Sequence, residues 1–258
     1  MSDWDPTQYR KYSEARLRAS LDLLLRVEVA APRTVIDLGC GEGTATRLLR
    51  TRWPDATLIG VDRSEAMLRV AQQTIADVQW QCADLAEWRP AQPADVLYSN
   101  AALHWLPDHS TLLPRLMRIL APHGVLALQM PRNFDAPSHA LIHEVALGGA
   151  WRDRLAPLVQ PAPVAEPAYY YDVLAPLAQR VEIWETEYLH VLTGAHAVAE
   201  WTKGTWCRPF LDALADDGER AEFEAAYRAR LAAAYPRRAD GTTLFPFRRL
   251  FVVATARP

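Results

Sequence analysis

Ten residues limit what this chain can fold into: Val35-Ile36-Asp37-Leu38-Gly39-Cys40-Gly41-Glu42-Gly43-Thr44. A short apolar β-branched run, an acidic residue and three alternating glycines lead into a helical pattern, which reads as strand, tight turn and helix start. Glycine accepts positive φ and lets the backbone approach a ligand closely. The exposed N–H groups of the helix start face the same space. A dinucleotide fingerprint reads G-x-G-x-x-G and sets a pyrophosphate on the helix N-terminus. Here Thr44 stands where that fingerprint requires glycine, which disfavours a nicotinamide dehydrogenase. A turn with only a packing role is the plain alternative, and two landmarks downstream weigh against it.

The first landmark follows the second strand. After the helix carrying Ala45, Leu48 and Leu49, Trp53-Pro54 ends the segment, and Thr57-Leu58-Ile59-Gly60-Val61 reads as a buried strand with Asp62 at its edge. In doubly wound folds an acidic residue about 20 positions past the glycine turn accepts hydrogen bonds from ribose hydroxyls. Its alternative is an ordinary helix N-cap, a role for which Ser64 competes. Ala66, Met67, Val70 and Ala71 face inward on the next helix, and Met67 reads equally as core or as an adenine contact. The second landmark is Asp84, after the strand Val78–Cys82; a carboxylate accepts what an exocyclic amine donates.

Asp95–Asn100 reads as a fourth strand, with Ala101 through Asp108 leaving its carboxyl end, where ligands of open α/β sheets bind. Leu112, Leu113, Leu116, Ile119 and Leu120 form a further amphipathic helix, and Val125–Met130 is a near-continuous apolar run expected of a strand buried on both faces. Strands alternating with helices imply a parallel sheet with right-handed crossovers. N-terminal to all this, Leu17, Leu21, Leu24 and Leu25 suggest one apolar helical stripe, preceded by Trp4, Tyr9 and Tyr12, which either pack on the domain or cover the ligand pocket.

From Pro131 the alternation breaks. Residues 131–179 hold seven prolines and the Tyr169-Tyr170-Tyr171 triplet. A strand returns at Val181–Val191, residues 196–235 read as two helices around Trp201, Trp206, Phe210 and Leu211, and Leu250–Ala254 reads as a last strand. The expected organisation is one domain over 1–258: a cofactor half at 1–130, and insertions at 131–178 and 194–243 that cover the strand ends.

A net charge of −3 with no basic block argues against a nucleic-acid partner and leaves room for a small anion held by a few arginines. Three unpatterned cysteines, Cys40, Cys82 and Cys207, indicate neither a disulfide framework nor a zinc site. No apolar run is long enough to span a bilayer, and Met1-Ser-Asp-Trp-Asp does not read as a leader, so the expectation is a cytoplasmic protein.

The D-x-G-x-G-x-G pattern of residues 37–43 resembles motif I of the class I S-adenosylmethionine-dependent methyltransferases. Met1-Ser-Asp-Trp-Asp-Pro, Asn100 through His109, Gln129-Met-Pro131, Arg208-Pro-Phe210 and Pro246 through Ala254 resemble, more narrowly, the trans-aconitate 2-methyltransferase family. Residues 132–168 and 212–243 match that pattern least. The resemblance implies a Rossmann-like seven-stranded sheet with the last strand antiparallel, a mostly helical lid, and methyl transfer from S-adenosylmethionine to a carboxylate of trans-aconitate. It implies a cofactor site from Asp37, Gly39, Cys40, Gly41, Gly43, Asp62, Arg63, Met67, Asp84, Leu85 and Asn100.

Such chemistry agrees with the absence of a visible triad or metal motif. A carboxylate with a pKa near 4 is already ionised at neutral pH, so no general base is required, and positioning does most of the work. A tricarboxylate calls for bidentate arginines. Candidates are Arg132, Arg208 and Arg248 with Arg249, beside hydroxyl donors Tyr169, Tyr170 and Tyr171, and pocket-lining His104 and Trp105. Rival readings are a methyltransferase for another small acid, an amine or a phenol, in which case His104, His190 or Glu144 gains weight as a base, and a nucleotide-binding module without turnover.

Overall fold

The computed structural model describes residues 13–258, so the expectations for Trp4, Tyr9 and Tyr12 lie outside the described residues. A helix α1 (Ser13–Leu24) precedes β1 (Thr34–Leu38), α2 (Thr44–Arg52), β2 (Thr57–Asp62), α3 (Glu65–Thr74), β3 (Val78–Cys82) and β4 (Ala94–Asn100). A short 3₁₀ turn (Leu103–Trp105), α4 (His109–Arg118) and β5 (Leu120–Pro131) follow. Then come α5 (Pro137–Gly148), α6 (Arg152–Leu155), α7 (Pro167–Leu174), β6 (Ala178–Thr193), α8 (Ala197–Lys203), α9 (Arg208–Ala213), α10 (Asp217–Ala234) and β7 (Thr242–Ala256).

Among the described residues the strands form one seven-stranded sheet, ordered β3-β2-β1-β4-β5-β7-β6. Strands β1 to β5 pair in parallel and β7 lies antiparallel on β5. The central strands are largely apolar because helices cover both faces: Val35, Ile36, Leu38, Val96, Leu97, Leu126 and Leu128 are all buried. Asp95 fixes the register of β1 against β4 by accepting from the N–H groups of Arg33 (2.7 Å) and Thr34 (2.9 Å). Tyr98 donates to the Ser20 carbonyl at 2.7 Å, which pins α1 to the sheet.

Several local expectations need correction. The buried face of α1 is Ala19, Ser20, Leu23 and Leu24, while Leu21 and Leu25 are exposed, Leu25 lying beyond the helix end. Residues 196–235 hold three helices instead of two, since Gly204 ends α8 and Pro209 suits only the first turn of a new helix. Strands β5 and β7 extend well beyond the apolar runs that signal them.

The described chain divides into two compact units: 13–131 with 164–186 and 249–258, and 132–163 with 187–248. The first holds β1 to β5, α1 to α4 and α7. The second holds α5, α6 and α8 to α10 with one end each of β6 and β7. Its core is aromatic: Phe134, His139 and Trp206 pack ring on ring, and Tyr227 donates to the Ser138 carbonyl at 2.7 Å.

Candidate active site

The glycine turn joins β1 to α2 with all three glycines at positive φ: 76° at Gly39, 55° at Gly41 and 84° at Gly43. Gly39 is irreplaceable by contact as well as conformation, since a Cβ there would lie 2.2 Å from Ala102 Cβ. Gly41 is the opposite case: among the described residues no atom lies within 4 Å of where its Cβ would stand, so the turn is open there on the side they form. The Gly39 and Cys40 N–H groups bond the Val61 carbonyl at 2.8 and 3.1 Å, holding the turn against the end of β2.

Two carboxylates flank the turn. Asp37 is 1% exposed, accepts from Thr46 Oγ1 at 2.6 Å, and has its pKa pushed up to about 7, chiefly by burial and further by the nearby Asp62. The same two carboxylates and burial hold the Cys40 thiol far above its usual range. Asp62 accepts from the Gly41 N–H through Oδ2 and from the Ser64 N–H through Oδ1, both at 2.9 Å. Ser64 is the N-cap of α3, accepting from the Met67 N–H at 3.3 Å. The cap and the turn-facing acid are therefore separate residues, and each Asp62 oxygen keeps a lone pair for a further donor.

Asp84 is exposed after β3, with Oδ1 taken by the Ala86 N–H at 2.8 Å. Arg115 of α4 braces this loop by donating to the carbonyls of Leu85 (2.5 Å) and Trp88 (2.8 Å), a role no sequence motif marks. Leu85 stands 3.8 Å from the Cβ position of Gly39, which brings the post-β3 loop to the glycine turn. Met67 is buried on α3, and Arg63 is exposed with its carbonyl accepting from Cys82 Sγ at 3.6 Å. Asn100 ends β4, and its Oδ1 is buried without a hydrogen-bond partner among the described residues.

The expected substrate contacts scatter. In the sheet-bearing unit, His104 is buried with its ring 4.7 Å from Trp105. Tyr169 is at the surface. Tyr170 is fully buried, its hydroxyl bonded to His109 Nδ1 at 3.0 Å and accepting from the Ala165 N–H at 3.2 Å. It is a core tyrosine and leaves the set of substrate donors. In the second unit, Arg132 and Arg248 are tied through their backbones, Arg132 N–H to the Arg248 carbonyl at 2.9 Å. Arg248 is exposed, and Arg208 lies on α9 with Nε shared between both oxygens of Asp212 at 2.9 and 3.0 Å.

Residues 35–124 match the family described as "Methyltransferase domain". Over nearly their full lengths the chain is similar to curated proteins named trans-aconitate 2-methyltransferase. It is 52% identical to that of Azoarcus sp. (strain BH72), over 98% of this chain and 99% of the relative. The protein of Acidovorax ebreus (strain TPSY) is 47% identical over the whole of both chains, and that of Yersinia pestis (strain Pestoides F) 45%. The chain belongs to the trans-aconitate 2-methyltransferase family. Solved structures agree on the fold: the YcgJ protein from Bacillus subtilis, 16% identical, superposes with a TM-score of 0.57 over 93% of this chain and 99% of that one. Phosphoethanolamine N-methyltransferase 2 from Haemonchus contortus, solved with S-adenosyl-L-methionine, gives a TM-score of 0.54 at 15% identity, with this chain spanning about half (52%) of its length.

As a member of the trans-aconitate 2-methyltransferase family the protein uses S-adenosyl-L-methionine, and its residues suit that molecule. The cofactor is cationic at sulfur and at its amino group; the glycine turn is flanked by two carboxylates and opens at Gly41. The unpartnered Asn100 Oδ1 is an acceptor, which a cationic amine satisfies.

Proposed function

We propose that the protein transfers a methyl group from S-adenosyl-L-methionine to a carboxylate of trans-aconitate, yielding the monomethyl ester and S-adenosylhomocysteine. The observation that carries this reading is the pairing of full-length similarity to trans-aconitate 2-methyltransferases with an acid-flanked glycine turn that opens at Gly41. When bound, S-adenosyl-L-methionine supplies a methyl carbon already activated by a sulfonium. Asp62 takes the ribose hydroxyls, Asp84 takes the adenine amine, and the turn from Gly39 to Gly43 keeps side chains out of the way. Met67, Arg63 and Leu85 border the same space.

The acid oxygen arrives ionised, so the protein has no proton to remove. What it contributes is alignment of the oxygen behind the methyl carbon, and exclusion of water, the largest effects open to a reaction of this kind. Arginine holds the acid, and in the sheet-bearing unit the candidate is Arg249, with His104, Trp105 and Tyr169 as further contacts. Among the described residues no helix is long and apolar enough to cross a membrane. With no basic block in the sequence, the working partner is a small acid in the cytoplasm. Initial rates of S-adenosylhomocysteine release against a panel of di- and tricarboxylates, amines and phenols test the proposal. Turnover confined to acids, fastest with trans-aconitate, is expected. Binding of the cofactor with turnover on amines or phenols alone overturns it.

A further inference from the structure

The carboxyl ends of β4 and β5 leave two amide atoms buried and without a hydrogen-bond partner among the described residues: Asn100 Oδ1 and Gln129 Nε2. The two residues are register partners in that pair of strands. One atom accepts and the other donates, so side by side they call for two different groups. Buried polar atoms are nearly always paired, and the exceptions need a reason.

The orientation of the Gln129 amide is fixed by Arg249. Arg249 Nη1 donates to Gln129 Oε1 at 3.4 Å, which leaves the amide NH₂ as the end turned to a further partner. Arg249 lies opposite Pro131 in the antiparallel β5–β7 pair, and Gln129 lies opposite Phe251. Strand alternation therefore sets Gln129 and Arg249 on one face and sends Arg248 to the other. Burial follows the same division: Gln129 is 0% and Arg249 4% exposed, while Arg248 is at the surface. A guanidinium is costly to bury and is the preferred fork for a carboxylate. With only β5 between them, it sits on the same side of the sheet as Asn100, at the carboxyl ends of β4 and β5, where ligands of open α/β folds bind.

We propose that Arg249 and Gln129 form the subsite for a carboxylate of the acid substrate, the guanidinium and the Gln129 NH₂ each donating to one oxygen, while Asn100 beside them takes a donor from the cofactor. This rests on the acid-methylating reading above and names the side chains that select the acid. Gln129 acts both as a contact and as the group that aims Arg249.

Two variants test it, with kinetics, calorimetric affinity for S-adenosylhomocysteine and thermal melting read on each. Arg249→Lys keeps the charge and loses the fork. Gln129→Glu places a fixed carboxylate against the guanidinium, so it occupies the subsite while keeping Arg249 paired and the fold intact. Both are expected to raise KM for trans-aconitate by about tenfold or more, the cost of one charge-assisted contact. Affinity for S-adenosylhomocysteine should stay within about twofold. In Arg249→Lys a dicarboxylate should lose less than the tricarboxylate does, which a purely structural role would not produce. If wild-type enzyme turns over no acid, the functional reading falls and this subsite with it. If wild type is active and KM is unchanged in both variants, the subsite alone is wrong. Equal losses of KM, nucleoside affinity and melting temperature would make the pair a core contact and overturn the proposal.

Discussion

At the residue scale the two aspartates of the turn do different work. Asp62 faces the turn with both oxygens engaged by backbone N–H groups, so Asp62→Ala removes two charge-assisted bonds together with the ribose contact proposed for it. The expected outcome is at least about a tenfold rise in the dissociation constant for S-adenosyl-L-methionine by calorimetry, with about 1–3 kcal/mol lost in stability. Unchanged binding would remove Asp62 from the site. Asp37 is buried, and its pKa rises from 3.8 to about 7 in the fold. The unfolded chain releases that proton at lower pH, so between about pH 4 and 7 the folded state binds more protons, and this group lowers stability as pH rises. Asp37→Asn cannot ionise. Its melting temperature relative to wild type should therefore climb from pH 5 to pH 8; a constant difference would contradict the raised pKa.

Which residues sit at this turn was legible because D-x-G-x-G-x-G and the spacing to Asp62 restrict backbone and chemistry together. Which arginine is buried was not. Arg248 and Arg249 are neighbours in sequence, and only the register of β7 against β5 decides which faces Gln129. Tyr170 was misread for a similar reason: three consecutive tyrosines look alike until α7 turns one toward His109.

At the scale of elements, the strands were the most readable part. The buried run Thr34–Leu38 begins and ends where β-branched residues give way to turn formers, and Val78–Cys82 forms a strand although none of its residues is buried. Helix faces were less so, since apolar residues at matching spacing in α1 include Leu21, which stays exposed. The glycine turn separates a packing demand from a ligand demand. Gly39→Ala forces a Cβ into Ala102 at 2.2 Å and adopts φ near 76°; overpacking of this kind costs about 1–3 kcal/mol. Gly41→Ala meets no atom of the described residues, so it should cost only about 1–2 kcal/mol from its left-handed backbone. Its methyl enters the open space at the turn, and cofactor affinity should fall further than stability does. Thermal melts and titrations of the two variants check this. Gly41→Ala binding the cofactor as wild type does would mean that the open side of the turn is not the seat. Ser64→Ala, removing the α3 cap, should cost about 1 kcal/mol in a denaturation curve and leave the ribose contact proposed for Asp62 unaffected.

At the scale of the whole molecule, the family resemblance implied a sheet of seven strands with the last reversed, and the structure has β7 antiparallel between β5 and β6. The division into units was harder to foresee, because β6 and β7 each continue from one unit into the other with no linker composition to mark the passage. The second unit holds few chemical motifs. Ion pairs of Arg154 with Glu219, Lys203 with Glu224 and Arg228 with Glu200 join its helices, and Arg208–Asp212 and Arg228–Glu224 form within them, so spacing alone did not single out an arginine for substrate. The central claim is that the sheet-bearing unit holds a methyl-bearing sulfonium nucleoside while the protein presents an ionised acid oxygen to it. Mass spectrometry of the products formed from S-adenosyl-L-methionine and trans-aconitate tests this most directly. The predicted result is an acid carrying one methyl ester, formed in equal amount with S-adenosylhomocysteine; the cofactor binding saturably while trans-aconitate is recovered unmethylated would contradict it.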